Sequence, residues 1–260
     1  MDYDRKNQIL QILRAQHFVS VNDLCSQLFV SSATVRRELK NLEESHQIQR
    51  TRGGAYWIEG TAKEDPYAVR ERQNVMEKQI IAGQAIQYIR DGMTVFLDSS
   101  STVYIMAQMM EGYNNLCIIT NSLKTALCLA SRRGMTIMVA GGTPRAGTVS
   151  LVGQSAVEYI RRFNADVAFV SACGFDLARG ASEASEEEAF VKRAYIENAK
   201  ERYLLCDTSK MGKSFLCRTA SLHEFTKIIT ESQAVNRQFS GLHEKNAEGR
   251  TLELLASGLT

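Results

Sequence analysis

Two short amphipathic helices, a break of a few residues between them, and then a strand, a glycine turn and a second strand occupy Val19–Ala55 and just beyond. Few small folds accommodate that order. Ser20 offers a hydroxyl to the first-turn amides of a helix over roughly 21–29, and Asp23 puts a negative charge near its positive end. Val21, Leu24, Cys25 and Leu28 recur at helical spacing and form one apolar stripe, which should be buried. The run Phe29-Val30-Ser31-Ser32 interrupts it. Ser31 or Ser32 then caps a second helix from Ala33 to about Ser45, with Val35, Leu39 and Leu42 facing inward and Thr34, Arg36, Arg37 and Lys40 facing outward. Met1–Ala15, carrying Ile9, Leu10, Ile12 and Leu13, supplies a third helix, and Ile48–Trp57 reads as strand, glycine turn and strand with Arg50 and Arg52 on the wing.

This is the layout of a winged helix-turn-helix, a module that lays its second helix in a DNA groove. Ser31, Ser32 and Thr34 place hydroxyls and first-turn amides where phosphates can be held. Arg36 and Arg37 can reach base edges, and Lys40, Arg50 and Arg52 extend the basic face. Taken alone, Arg36-Arg37 would read as a solvated charged face; the flanking helix and wing decide for DNA. The net charge is only +2, so affinity must come from this local patch and from pairing of two copies rather than from bulk charge.

A module of about 60 residues leaves about 200 for a second domain with a sizeable core. We divide the chain into residues 1–58 (DNA-binding), 59–78 (linker and connecting helix) and 79–260 (effector binding and oligomerisation). The linker is polar and holds one of only two prolines. The six cysteines show no C-x-x-C and no histidine at zinc spacing, so they are expected to be reduced, mostly buried thiols, with neither metal nor cofactor. No apolar run approaches the ~18 residues that span a bilayer and no leader pattern opens the chain, so a cytoplasmic protein without membrane association is expected.

Past residue 92 short apolar runs alternate with helical stretches: Thr94–Leu97, Leu116–Thr120, Thr136–Ala140, Val167–Ser171, Tyr203–Cys206 and Lys227–Thr230. Branched and aromatic residues on both faces of such runs indicate a largely parallel sheet covered by helices on each side, an α/β fold. Ligands of such sheets lie at the carboxyl ends of strands. The runs end in Asp98-Ser99-Ser100-Ser101-Thr102, Asn121-Ser122, Gly141-Gly142-Thr143-Pro144-Arg145, Cys173-Gly174-Phe175-Asp176 and Asp207-Thr208-Ser209-Lys210. The first is a hydroxyl-rich helix start suited to an anion. Five polar ends on one sheet point to a pocket for a phosphorylated, hydroxyl-rich molecule.

The run Val30–Leu39, with Arg50-Thr51-Arg52-Gly53-Gly54-Ala55, resembles the signature of the DeoR family of bacterial transcriptional regulators. Glu38 stands where the family usually has aspartate and Arg52 where it has histidine. The second domain is similar to that family's effector domain, a mostly parallel α/β domain resembling sugar-phosphate isomerases. The resemblance implies that Asp98–Thr102, Thr120-Asn121, Gly141–Arg145 and Asp207–Lys210 are its ligand motifs. The implied effector-binding residues are Asp98, Ser100, Ser101, Thr102, Asn121, Gly141, Gly142, Arg145, Asp207 and Lys210. Ser101 and Thr102 would hold the phosphate and Lys210 would add charge; Ser100 replaces a common glycine. Lys192 also matches a family position, and a solvated helical lysine is an equal reading of it.

The rival is an isomerase-like enzyme carrying a DNA-binding module, since Asp98, Asp176, Glu183 and Asp207 are carboxylates available for proton transfer. The fused DNA module favours sensing, and Glu186-Glu187-Glu188 reads as a solvated or helix-starting cluster. Gly212-Lys213-Ser214 imitates the end of a P-loop, but the first glycine would fall on Asp207. The expectation is a DNA-binding regulator, a repressor of a carbohydrate-utilisation operon, whose partners are operator DNA, a phosphorylated sugar and further copies of itself in a dimer or tetramer.

Overall fold

The structure, a computed structural model, describes residues 2–16, 18–44, 48–51, 53–57, 64–232 and 253–256. The chain divides into two compact units, Met1–Lys63 and Glu64–Thr260.

The first unit runs α1 (Asp2–Gln16), β1 (Phe18–Ser20), α2 (Val21–Leu28), α3 (Ser32–Glu44), β2 (Ile48–Arg50) and β3 (Gly54–Trp57). Ser20 caps α2 by accepting the Asp23 amide at 3.1 Å. The helix stops at Phe29, whose backbone turns left-handed (φ 54°) and closes a bond to the Cys25 carbonyl. Ser31 caps α3, its hydroxyl taking the Thr34 amide at 3.2 Å, and Ser32 is the first helical residue. Ile9, Leu10 and Leu13 of α1 pack with Val21, Leu24, Val35, Leu39 and Leu42, while Cys25 and Leu28 are half-buried at the margin. The sequence pattern anticipates the two wing strands but not β1, which is three residues long and joins an antiparallel sheet of order β1-β3-β2. Gly54 permits that pairing: a Cβ there would lie 2.3 Å from the Val19 carbonyl oxygen.

The second unit begins with α4 (Tyr67–Arg70) and α5 (Val75–Ala85). Then follow β4 (Thr94–Leu97), α6 (Ser101–Met109), β5 (Leu116–Thr120), α7 (Leu123–Leu129), β6 (Met135–Val139), the short pair β7 (Thr143–Pro144) and β8 (Leu151–Val152), and α8 (Gln154–Ile160). After these come β9 (Ala165–Val170), β10 (Gly174–Asp176), β11 (Gly180–Glu183), α9 (Glu186–Glu197), β12 (Ala199–Leu205), β13 (Cys217–Ala220), β14 (Lys227–Thr230) and β15 (Glu253–Ala256). The main sheet has seven strands in the order β15-β14-β12-β9-β4-β5-β6. Every pairing in it is parallel. The six expected strands are all present; the third sits one residue earlier, and β9 and β12 start well before their most apolar stretches. β15 is a seventh strand beyond the six expected.

Strand side chains alternate between two cores. Phe96 faces α8 and α9 with Val157, Ile160, Val191 and Tyr195, whereas Val95 and Leu97 face α5 and α6 with Ile81, Val103 and Met106. From β4 the chain steps outward through β5 and β6, then returns past β4 to lay down β9 on its other side. The carboxyl ends of β4 and β9 thus mark the point where strand order reverses, and neither connection covers the crevice there. None of the six cysteines is disulfide-bonded, but only Cys173 and Cys206 are buried; Cys25, Cys117, Cys128 and Cys217 are half-buried, so mostly buried thiols are not what the fold produces. Among the described residues no helix is long and apolar enough to cross a membrane.

Candidate functional site

Two surfaces carry most of the residues singled out by sequence. In the first unit Ser31, Ser32, Arg36, Arg37 and Lys40 are exposed and Thr34 is half-exposed, all on one side of α3. The Ser31 and Thr34 hydroxyls lie 2.9 Å apart. The opposite side of α3 is the apolar one, so burying Val35, Leu39 and Leu42 turns the basic side outward. Glu38 points inward and is buried, with Lys6 at 4.0 Å and Arg37 at 3.8 Å from its carboxylate. Arg50 is held by Glu43, through its amide at 3.2 Å and its guanidinium at 3.4 Å. Arg52 lies outside the described residues.

In the second unit a small, polar cleft occupies the crevice where strand order reverses. Four segments line it: Ser100–Thr102 after β4, Ser171–Cys173 after β9, Asp207, Ser209 and Lys210 after β12, and Arg70, Gln73, Asn74 and Lys78 from the start of the unit. Glu183 and Lys192 form its floor. The nine-residue helix α6 begins at the cleft, with Ser100 capping it by accepting the Val103 amide at 3.2 Å. Its remaining first-turn amides have no intrahelical acceptor, so hydroxyls, amides and the positive helix end converge on one spot. Lys210 is in no ion pair among the described residues and contributes a cation on the facing side.

A buried network sets this geometry. The Asp98 carboxylate, fully buried, accepts the amides of Ser100 at 2.9 Å and Ser171 at 2.8 Å, tying the ends of β4 and β9 together. Lys192 of α9 reaches Glu183 at 2.6 Å, the Ser171 carbonyl at 2.8 Å and Asp98 at 3.4 Å. Burial works against its charge, yet Glu183 and Asp98 outweigh burial and hold the lysine above its ordinary range. The solvated reading of Lys192 is therefore wrong. Glu188 is also buried rather than solvated: it accepts from Ser99 and Ser150 and lies 3.5 Å from Arg145, and burial pushes its carboxyl up. Only Glu186 and Glu187 of that acidic run reach solvent, because α9 turns its third residue onto the sheet.

Of the ten effector residues expected from sequence, Ser100, Ser101, Thr102, Asp207 and Lys210 line the cleft and Asp98 supports it from beneath. The other four do not reach it. Asn121 is fully buried, donating to the Leu151 carbonyl at 3.1 Å and accepting from Tyr195 at 3.3 Å. Gly142 has φ +123°, and a Cβ there would meet the Val152 carbonyl oxygen at 2.5 Å, so Gly142 serves the close pairing of β7 with β8, while Gly141 stands in open space beside it. Arg145 pairs with Glu64 at 2.8 Å.

Arg70, Gln73, Asn74 and Lys78 come from a stretch whose polar sequence reads as a connector. One signal for them exists: Lys78 stands on the buried stripe of α5 with Ile81, Ala82 and Ala85. Its ammonium donates to the carbonyls of Arg70 and Gln73. Burial pushes its pKa down to about 8 against the pull of Asp207. Glu64, Cys173 and Glu183 bring three donor atoms within 4.8 Å of one another, but Arg70 and Arg145 pair with Glu64 and Lys192 with Glu183, which disfavours a metal cation there. Burial, then the Glu183 charge, drives the Cys173 thiol well above its ordinary value.

Comparison with known proteins agrees with this division. Residues 5–61 match the DeoR-like helix-turn-helix domain and residues 73–232 match the DeoR C-terminal sensor domain. The chain is 30% identical to the uncharacterized HTH-type transcriptional regulator YulB of Bacillus subtilis, over 98% of each chain. It is 29% identical to the glycerol-3-phosphate regulon repressor of Escherichia coli, over 88% of this chain and 90% of that one. Among solved structures it is similar to ribose 5-phosphate isomerase A from Methanocaldococcus jannaschii, with a TM-score of 0.38 and 15% identity over 54% of this chain and 55% of that one. With both family models matched in order along the chain, this protein belongs to the DeoR family and is a DNA-binding transcriptional regulator rather than an enzyme.

Proposed function

We propose that this regulator represses a carbohydrate-utilisation operon and leaves its operator when a small phosphorylated sugar or polyol fills the cleft of the second unit. The observation that carries the reading is the convergence of Ser100–Thr102, the start of α6 and Lys210 at the point where strand order reverses. Hydroxyls, oriented amides and a cation at a helix N-terminus are the chemistry of a phosphate site, and the neighbouring Asp207 supplies acceptors for sugar hydroxyls. Asp98 keeps the loop in shape, while Asn121, Gly142 and Arg145 build the scaffold behind it.

On the DNA side Ser31, Ser32 and Thr34 take phosphates, Arg36 and Arg37 reach base edges, and Lys40, Arg50 and Arg52 add backbone contacts. Two copies or more act together in the cytoplasm, since half-sites one helical turn apart, ~34 Å, need two recognition helices. The name of the Escherichia coli relative makes glycerol 3-phosphate the first compound to try.

The test is a thermal-shift screen of sugar and polyol phosphates, each beside its unphosphorylated parent. A ligand at 100 times its Kd stabilises by about 2.7 kcal/mol, about 5–10 °C for a unit of this size. Stabilisation that requires the phosphate supports the reading. Equal stabilisation by the parent sugars, or none by any compound, rejects it.

A further inference from the structure

The segment Glu64–Lys78 opens the second unit and also walls its cleft. Two sets of bonds hold it in place. At its start, Glu64 joins Arg70 at 2.7 Å and Arg145 at 2.8 Å, and the Tyr67 amide donates to the Gly147 carbonyl at 3.2 Å. At its end, Asn74 adopts a left-handed backbone (φ 49°) that aims its side-chain amide at Asp207 and Ser209, both at 3.1 Å. Lys78 locks the turn between by bonding the carbonyls of Arg70 and Gln73. The Ser101 hydroxyl spends its proton on the Arg70 carbonyl at 3.4 Å.

Asn74, Ser101, Asp207 and Ser209 are thus groups able to engage an anionic, hydroxyl-bearing ligand, and the same groups bond this segment to the strand ends. Any ligand seated there exchanges those bonds for its own. A ligand shifts a conformational equilibrium only by binding its two states unequally, and a wall that surrenders bonds to the ligand meets that condition.

We infer that Glu64–Lys78 is an effector-binding element, contributing Arg70, Asn74 and Lys78 to the ligand, and that it relays occupancy along the chain to the DNA-binding unit through its Glu64 anchor. The relay rests on the reading of the cleft as a phosphorylated-sugar site, whereas the dependence of DNA binding on this segment does not.

The test uses the full chain and a duplex selected by it from random DNA. Asn74→Asp sets a carboxylate against Asp207 and detaches the segment with no ligand present; duplex affinity should fall at least fivefold, the lower end of ordinary allosteric coupling. Affinity within twofold of wild type overturns the inference whatever the ligand proves to be. Should Asn74→Asp fail to fold, Asn74→Ala, which deletes the same two bonds without adding charge, makes the same measurement. With glycerol 3-phosphate or another stabilising phosphate as probe, at a concentration that saturates each protein, Glu64→Gln should cut the probe's effect on duplex affinity at least fivefold. An undiminished effect in Glu64→Gln overturns the relay. A wild-type chain that binds no phosphate probe, with Asn74→Asp still weakening DNA binding, rejects the sugar-phosphate reading and leaves the segment's role standing.

Discussion

Replacing Lys192 by methionine keeps the length of the side chain and removes its charge from a site with two carboxylates. In the wild type the ammonium meets Glu183 at 2.6 Å, Asp98 at 3.4 Å and the Ser171 carbonyl at 2.8 Å. Asp98 retains two amide donors in the variant, whereas Glu183 keeps only the Cys173 thiol at 3.1 Å. Stranding one partner of a buried pair costs about 3–5 kcal/mol. The stranded carboxylate has an escape, because it can take up a proton. For a glutamate that titrates near 4.3 in an unfolded chain, protonation costs about 3.7 kcal/mol at pH 7 and about 1 kcal/mol at pH 5. The loss of stability should therefore be about 3–4 kcal/mol at pH 7 and shrink to about 1–2 kcal/mol at pH 5, the remainder being lost hydrogen bonds. Urea unfolding followed by far-UV circular dichroism measures it. A loss below about 1 kcal/mol at pH 7, or one equal at both pH values, refutes the account.

Three further outcomes are expected. Arg36→Ala should weaken operator binding by about 1–3 kcal/mol if the guanidinium reads a base, with a smaller loss and a shallower salt dependence if it holds only phosphate; unchanged affinity in a gel-shift titration removes it from the interface. Lys210→Ala should retain operator affinity yet lose the response to the phosphorylated ligand, and a normal response at wild-type concentration would place Lys210 outside the site. Lys78, whose pKa lies near 8 in the folded chain, should be charged at pH 7 and mostly neutral at pH 9, so affinity for a phosphorylated ligand should drop about tenfold between those values. Because its folded pKa is depressed, the unfolded chain binds more protons between about 8 and 10.5, and stability should rise with pH across that window. Calorimetry showing equal ligand affinity at pH 7 and pH 9 would count against Lys78 touching the ligand.

Local patterns carried much of the fold. Ser20 and Ser31 cap helices where their hydroxyls precede an apolar stripe, and the stripes of α2 and α3 pack as their spacing implies. The six expected strands of the second unit are present because a strand buried on both faces announces itself as a short apolar run. β1 is harder to read, since three residues have no period and the strand exists only because Gly54 lets Val19 approach. Part of the candidate cleft was also legible: Ser100–Thr102, Asp207 and Lys210 follow strands, and strand ends in parallel sheets converge by construction.

What the sequence determined by itself is the pair of modules, their order, and the helix start and strand ends that could face a ligand, because each follows from residues near one another along the chain. Only the tertiary structure decided which polar residues serve the cleft and which serve the scaffold. Asn121 and Arg145 look like ligand residues in a motif, but their partners, Leu151, Tyr195 and Glu64, lie 30 to 81 positions away. Lys192 and Glu188 look like surface charges on a helix until α9 docks and buries them against Asp98, Glu183 and Ser150. Arg70, Asn74 and Lys78 resemble a connector until the chain folds back across the crevice. Charge and hydrogen-bonding capacity are written in a residue, whereas burial and partnership are properties of the packed chain, and those last two decide what the residue does.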